Sequence, residues 1–310
     1  MSQKTKRVLL IGGSGQVGQA LRAEPLPENW VFAAPPRAEC DLTDHAQVQA
    51  SINNFKPDII INTASMTNVD ACEKDSDSAV AANFEGPANL AAQCCHRDIP
   101  LIHLSTDYVF DGADGSRPYT PDDPMNPLCH YANTKMMGEE SIRHEMAWHV
   151  ILRVASVYST YGTNIFSKLL TAIETKDELR MVTDQVGSPT YAPDIAKALI
   201  RIVDAVMGGK FDAYGTFHFA GDTPMTRYQF AQDIMQAYAP HIQRLPKLFT
   251  AVSSDFPGFA TRPAYSVLDS SKLERVYGIP ASSWKKGLAE AIAMHVAARD
   301  ARNADQAQSA

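Results

Sequence analysis

Short aliphatic and β-branched runs alternate with amphipathic stretches through the first half of the chain. RVLLI (7–11), WVFAA (30–34), DIIIN (58–62) and PLIHLS (100–105) read as buried strands. Between them, segments starting at Gln16 and lying near 44–54 and 76–96 carry the apolar spacing of helices. Strands that are apolar on both faces, each followed by a helix, predict βαβ units on a parallel sheet, because helices then cover both faces. The fold class expected is α/β, a Rossmann-type doubly wound parallel sheet with a smaller C-terminal substrate-binding lobe.

Past Tyr158 the alternation loosens. DQVGSPTYAPD (184–194) and GDTPMTRYQF (221–230) mix turn formers with aromatics, and amphipathic pieces follow at 191–207, 226–238 and 283–297. The organisation expected is a dinucleotide-binding domain over 1–155, rejoined by roughly 191–219, and a substrate-binding lobe from roughly 156–190 and 220–302, with ligands bound between them. The last stretch, 303–310, has no apolar period and is expected to be a disordered tail.

Composition narrows the function. With 45% hydrophobic and 20% charged residues over 310 positions, the chain can bury a full core. A net charge of -7 without a Lys/Arg-rich run argues against a nucleic-acid surface, so any phosphate must be held locally. No stretch reaches the length of a membrane span, and MSQKTKR leads into a strand without signal-peptide features; a cytoplasmic location is expected. Five cysteines without paired metal spacing read as reduced thiols. His103, Met136 and Met137 have no partner at metal spacing and read as packing residues, so no metal is expected.

Two constellations carry chemistry. In RVLLIGGSGQVGQAL, Gly12, Gly13, Gly15 and Gly18 lie between strand and helix, with Gln16 and Val17 opening the helix. Glycines there permit a tight turn and close approach of a pyrophosphate to the helix N-terminus, whose free N–H groups and dipole favour anions. At the end of the second strand, AAPPRAECD offers no acid before Glu39 but places Arg37 nearby, a fit for a ribose 2′-phosphate and hence for NADPH, with NADH as the alternative. Asp41 and Leu42 are placed to reach the adenine, or Asp44 simply caps the next helix.

Farther on, HLSTDYVFDG (103–112) precedes YANTK (131–135). Tyr131 and Lys135 are i and i+4, so on a helix they share a face, and an ammonium beside a phenol lowers the phenol's pKa. Thr106, ending a strand, offers a hydroxyl to the same carbonyl oxygen, so three groups converge where charge develops in hydride transfer.

With these blocks the chain resembles the extended short-chain dehydrogenase/reductase superfamily and, within it, the dTDP-4-dehydrorhamnose reductase family. The resemblance runs from the glycine loop through IINTASMTNVDACE, STDYVFDG, YANTKMMGE, DQVGSPTYA and GTFHFAG to RPAYSVLDSSKLE and Trp284. It implies that Tyr131 donates the proton, that Lys135 tunes it and binds the nicotinamide ribose, and that Thr106 completes the triad. Asn62, Ala64 and Ser65 are then expected along the cofactor, with Thr67 near the nicotinamide. Asp107, Tyr108 and Ser156 are expected to face the substrate, Asp184, Gln185, Ser188, Pro189 and Thr190 to form one wall, and Arg262 to fork onto a diphosphate. The activity implied is NADPH-dependent reduction of the C4 ketone of dTDP-6-deoxy-L-lyxo-4-hexulose to dTDP-L-rhamnose, a donor for cell-surface polysaccharide.

Departures from the family pattern are Met66, where His is common, Ser156, where Trp is common, and Ala20, where some bacterial members carry a metal-binding glutamate. A metal-linked dimer contact is therefore not expected, although a homodimer is compatible with the sequence. Thr106 is followed by Asp107-Tyr108 and not by the Asp-Glu pair of sugar 4,6-dehydratases. The same motifs also fit a reductase or epimerase of another nucleotide sugar, or a non-catalytic NADP-binding subunit resembling the methionine adenosyltransferase β subunit.

Overall fold

A computed structural model describes residues 5–210 and 212–308; the first four residues, part of the MSQKTKR stretch considered above, lie outside the described residues. The chain begins with β1 (Lys6–Ile11), α1 (Gln16–Ala23), β2 (Trp30–Ala33), α2 (His45–Phe55) and β3 (Ile59–Asn62). Asp44 starts α2 by accepting the N–H groups of Ala46 and Gln47, so it caps the helix. A further short helix, α3 (Val69–Lys74), precedes the helix expected near 76–96, which runs without interruption from α4 (Ser76–Val80) through a π-helical turn at Ala81–Glu85 into α5 (Gly86–Cys95). Then follow β4 (Leu101–Thr106), α6 (His130–Glu145) and β5 (His149–Val154).

The second half contributes β6 (Val157–Tyr158), α7 (Ile165–Thr175), β7 (Glu178–Val182), β8 (Val186–Gly187) and β9 (Thr190–Tyr191). After these come α8 (Ala192–Met207), β10 (Gly215–Phe219), β11 (Met225–Thr226), α9 (Arg227–Tyr238), β12 (Lys247–Ala251), α10 (Ser271–Tyr277) and α11 (Trp284–Gln308).

Six strands form one sheet in the order β10-β5-β4-β3-β1-β2, and every neighbouring pair is parallel. Strand order reverses at β1, with β2 on one side and β3 on the other. Such a reversal leaves a crevice at the carboxyl ends of the two strands, because their outgoing connections turn to opposite faces. Val8, Leu10, Ile59 and Ile61 fill the sheet's core together with Ile195 and Leu199 of α8 and Phe217 and Phe219 of β10.

A second core gathers α7, α9 and α11 around Tyr158, Phe166, Phe230 and Trp284. The Trp284 ring lies 5.3 Å from that of Tyr158 and 4.9 Å from that of Phe230. Three short two-stranded pairs, β6-β9, β7-β12 and β8-β11, shape the surface of this lobe.

Two boundaries differ from expectation. Leu273 and Tyr277 of α10 pack into the sheet's core, against Phe217, so this stretch leaves the second lobe to cover β10. The last helix continues to Gln308, well into the stretch expected to be unstructured, while 309–310 lie outside the described residues. Among the described residues, no helix is long and apolar enough to cross a membrane.

Candidate active site

The crevice is lined first by the glycine turn. Gly12 has φ +90°, a left-handed conformation that side chains resist, and a Cβ there would lie 2.7 Å from the carbonyl carbon of Thr63, the residue just past β3. A Cβ on Gly18 would enter the Gly12 carbonyl oxygen and come within 2.7 Å of Gly13 Cα. The turn and α1 are thus packed backbone to backbone, leaving the N–H groups of the first turn facing the crevice. Gln16 points across to the second lobe, where its Oε1 accepts from Ser159 Oγ at 3.2 Å, and Val17 is buried in the core.

Gly18→Ala is expected to destabilise the fold by roughly 1–3 kcal/mol, the usual cost of overpacking, and to weaken dinucleotide binding. Thermal unfolding and fluorescence titration check this; wild-type values for both would contradict the tight turn.

The loop after β3 forms the opposite wall. Asn62 Oδ1 accepts the Ala64 N–H at 3.0 Å, and Ser65 Oγ donates to Asn83 Oδ1 at 2.8 Å. Asn83 comes from the π-helical turn. It also accepts the Met66 N–H at 2.8 Å, and its amide donates to the Met66 carbonyl at 3.1 Å and to Thr134 Oγ1 at 3.2 Å. The extra residue of the π turn aims this buried amide at the 64–67 loop and α6 together. Thr67 is exposed.

Thr106 ends β4 and Tyr131 and Lys135 lie on the first turns of α6, all buried. Thr106 acts on the Tyr131 phenol in the direction that favours its ionised form. Its hydroxyl donates to Asp107 Oδ1 at 3.1 Å and accepts the Tyr108 N–H at 3.2 Å. Burial holds the Tyr131 phenol well above its ordinary value, Thr106 opposing the shift and Asp107 adding to it. The expectation that Lys135 would lower this phenol is therefore corrected.

The physical reason is where the lysine points: Lys135 Nζ donates to the Leu104 carbonyl at 2.8 Å and faces His103 Nε2 at 3.1 Å. Burial lowers its ammonium to about 8, with the charge of Glu139 pulling the other way. His103 is a link as well as a packing residue, since its Nδ1 lies 3.0 Å from Asn62 Nδ2. Because Asn62 Oδ1 is committed to Ala64, the amide presents N–H to His103. This chain of contacts joins the β3 loop to the catalytic helix.

One turn beyond Lys135, Glu139 is fully buried and accepts from Arg153 Nε at 2.9 Å and Nη2 at 2.7 Å, with Arg143 as a second guanidinium partner. The cluster ties α6 to β5 beneath the site.

Other expected residues divide. Arg37 is exposed and pairs with Asp41 at 2.8 Å, and Asp41 also accepts from Thr43 N–H and hydroxyl. Leu42 is buried in the core beside Val48. Tyr108, Ser156, Gln185, Gly187 and Pro189 line a pocket between the lobes, together with Arg227 and Phe230. Ser156 adopts φ +43°, an uncommon conformation for a non-glycine residue. Ser188 is buried beside this wall, its hydroxyl without a hydrogen bond, while Asp184 accepts from Ser253 at 2.8 Å.

Asp107, Asp184, Ser188, Thr190 and Arg262, also expected on the substrate, do not line this pocket. Thr190 Oγ1 donates to the Ala155 carbonyl at 2.6 Å and accepts the Gly221 N–H at 3.2 Å, so its hydroxyl is consumed in joining strands. Arg262 Nη2 donates to both Asp70 oxygens, at 2.8 and 3.0 Å, and its Nη1 donates to the Ala260 carbonyl at 3.0 Å. In its place the pocket holds Arg227, which sequence reasoning missed. Arg227 Nη2 donates to Tyr108 Oη at 2.9 Å, and the Tyr108 ring stands edge-on to Tyr131, with centroids 6.2 Å apart.

A glycine-lined switch point beside a buried Thr, Tyr and Lys defines a dinucleotide-dependent oxidoreductase of the short-chain dehydrogenase type. The chain belongs to the dTDP-4-dehydrorhamnose reductase family: a family model described as RmlD substrate binding domain matches residues 6–296. A dTDP-4-dehydrorhamnose reductase of Aggregatibacter actinomycetemcomitans is 35% identical over 286 residues, covering 91% of this chain and 97% of that one. The crystal structure of a dTDP-4-dehydrorhamnose reductase from Clostridium acetobutylicum superposes with a TM-score of 0.85 at 33% identity, over 93% of this chain and 99% of that one. A Bacillus anthracis dTDP-4-dehydrorhamnose reductase solved in complex with NADP gives the same TM-score of 0.85 at 28% identity, over 94% and 99%.

Proposed function

We propose that this protein reduces the C4 ketone of dTDP-6-deoxy-L-lyxo-4-hexulose to dTDP-L-rhamnose with NADPH. The observation that carries the reading is a buried, protonated Tyr131 beside Thr106 at the mouth of a glycine-lined switch point, in a chain whose relatives carry the same reductase name. A phenol held protonated suits an acid for carbonyl reduction.

The residues present fit a dinucleotide: Gly12 and Gly18 leave backbone and no side chain at the turn, and the N–H groups of α1 face the crevice. Asn62, Ala64 and Ser65 would flank it on the other side, with Lys135 toward its nicotinamide ribose. Bound NADPH supplies the hydride to the ketone carbon. Tyr131 gives its hydroxyl proton to the ketone oxygen as charge builds there, and the Thr106 hydroxyl donates a hydrogen bond to that oxygen. Lys135, buried and held at the Leu104 carbonyl beside His103, would present its ammonium to the nicotinamide ribose. Tyr108, Ser156, Gln185 and Pro189 would hold the sugar nucleotide. This reading places the protein in the cytoplasm, with its soluble substrate.

Cofactor choice is assigned to Arg37, which would exchange Asp41 for the 2′-phosphate. Arg37→Ala is expected to raise the KM for NADPH more than that for NADH, measured by steady-state kinetics with each cofactor; equal effects would discard the role. The reaction itself is tested by oxidation of NADPH with the keto-sugar generated in place from dTDP-glucose. Oxidation that depends on the keto-sugar and yields dTDP-L-rhamnose is the expected result, and none despite bound NADPH would overturn the reading.

A further inference from the structure

We propose that Arg227 reads the diphosphate of the nucleotide-linked substrate, the role the sequence suggested for Arg262. The inference deepens the reductase reading and rests on it for the identity of the ligand. Among the described residues lining the pocket, Arg227 is the one Lys or Arg.

Its backbone is firmly held. The Arg227 N–H donates to the Gln185 carbonyl at 3.3 Å, and the preceding β11 pairs antiparallel with β8, Thr226 opposite Val186 and Met225 opposite Gly187. Thr226 and Gln229 close a capping box on α9, so the helix start is satisfied by its own residues and the guanidinium is what the pocket receives.

The charge is also available. One Nη2 hydrogen goes to the Tyr108 hydroxyl, and among the described residues no carboxylate lies within ion-pair distance of Arg227, whose charge reaches the buried Asp107 carboxyl only from farther off. A guanidinium has five N–H donors in a planar fork, so it keeps donors for a phosphate while holding Tyr108. Arg262 is more committed, its Nη2 meeting both Asp70 oxygens and its Nη1 the Ala260 carbonyl.

Position completes the argument. Arg227 contacts Tyr108, and Tyr108 stands edge-on to Tyr131, so one aromatic side chain separates the cation from the proton donor. In a 4-ketopyranose the reacting carbon and the phosphate-bearing anomeric carbon lie across the ring from each other. A cation set back from Tyr131 by about one ring therefore meets the first phosphate when C4 is at the hydroxyl.

The test uses the full chain saturated with NADP and compares binding of dTDP with binding of thymidine by calorimetry. Arg227→Gln keeps much of the side-chain bulk and a donor for Tyr108 while removing the charge; Arg227→Lys restores a charge without the fork. The expected result for Gln is loss of dTDP affinity by roughly tenfold or more, the scale of a hydrogen bond to a charged group. Thymidine binding and unfolding temperature should stay at wild-type values, with partial recovery in Lys, and the KM for keto-sugar should rise far more than kcat falls.

Unchanged dTDP affinity in Arg227→Gln would overturn the proposal, as would a fall in kcat at constant KM, which would make Arg227 a positioning residue for Tyr108. If wild type binds dTDP and Arg227→Gln does not, while neither turns over the keto-sugar, the arginine assignment stands and the reaction falls. Wild type that binds no dTDP overturns both.

Discussion

Tyr131→Phe is expected to cut kcat by roughly 10²- to 10⁴-fold, the range over which a positioned acid contributes, while leaving NADPH binding intact. The substitution removes one oxygen from a buried ring and keeps its edge-on contact with Tyr108. It also leaves the contacts of Lys135 with His103 and the Leu104 carbonyl in place. What is lost is the proton. The Thr106 hydroxyl cannot replace it, since an aliphatic alcohol is a far weaker acid than a phenol. Single-turnover kinetics with saturating cofactor separate the chemical step from binding; a rate close to wild type would remove Tyr131 from the role of acid.

The second large effect concerns stability. Glu139→Ala is expected to destabilise the protein by about 3–5 kcal/mol, because it strands the buried guanidinium of Arg153 without its counter-charge. That is a large share of the roughly 5–15 kcal/mol that holds an ordinary domain folded. The pH dependence carries the same signature. Burial alone would raise the Glu139 carboxyl, but the charges of Arg153 and Arg143 outweigh it and bring it down to about 2 from 4.5. A carboxyl depressed in the folded state contributes stability that is fully present above its unfolded value. That stability is lost as pH falls from about 4.5 through about 2.

Denaturant unfolding across that window should therefore show wild type losing stability and Glu139→Ala losing less. Parallel curves would mean that the ion pair does not control this titration. Since Glu139 sits one turn beyond Lys135 on α6, a variant that still folds should also reduce turnover.

The legible parts of this protein are the local ones. Strand and helix periods fall within a few residues, as do the glycines that keep α1 against the turn, so RVLLIGGSGQVG announces the crevice by itself. The Tyr131–Lys135 spacing is likewise a property of one helix. What stayed hidden depends on distant partners. Arg262 has the chemistry of a phosphate fork, yet its carboxylate partner is 192 positions away at Asp70.

Arg227 is unremarkable in MTRYQF and acquires its place only because β11 pairs with β8 across the pocket. Asn83 is aimed by a π-helical turn that apolar periodicity, a smooth helical signal, does not resolve. The direction of the Tyr131 shift was also missed, since the i, i+4 spacing states that two side chains share a face and not where the amine points. His103 supplies that direction, and its position on β4 looked like core.

Hydride delivery to the sugar is the claim on which the rest depends. NADPH deuterated on the transferring face of its nicotinamide C4, incubated with the protein and dTDP-6-deoxy-L-lyxo-4-hexulose, tests it directly by mass and NMR analysis of the product. The account predicts dTDP-L-rhamnose with one deuterium at sugar C4 and stoichiometric oxidised cofactor. Deuterium retained on the cofactor, or a sugar changed in configuration without net reduction, would contradict it.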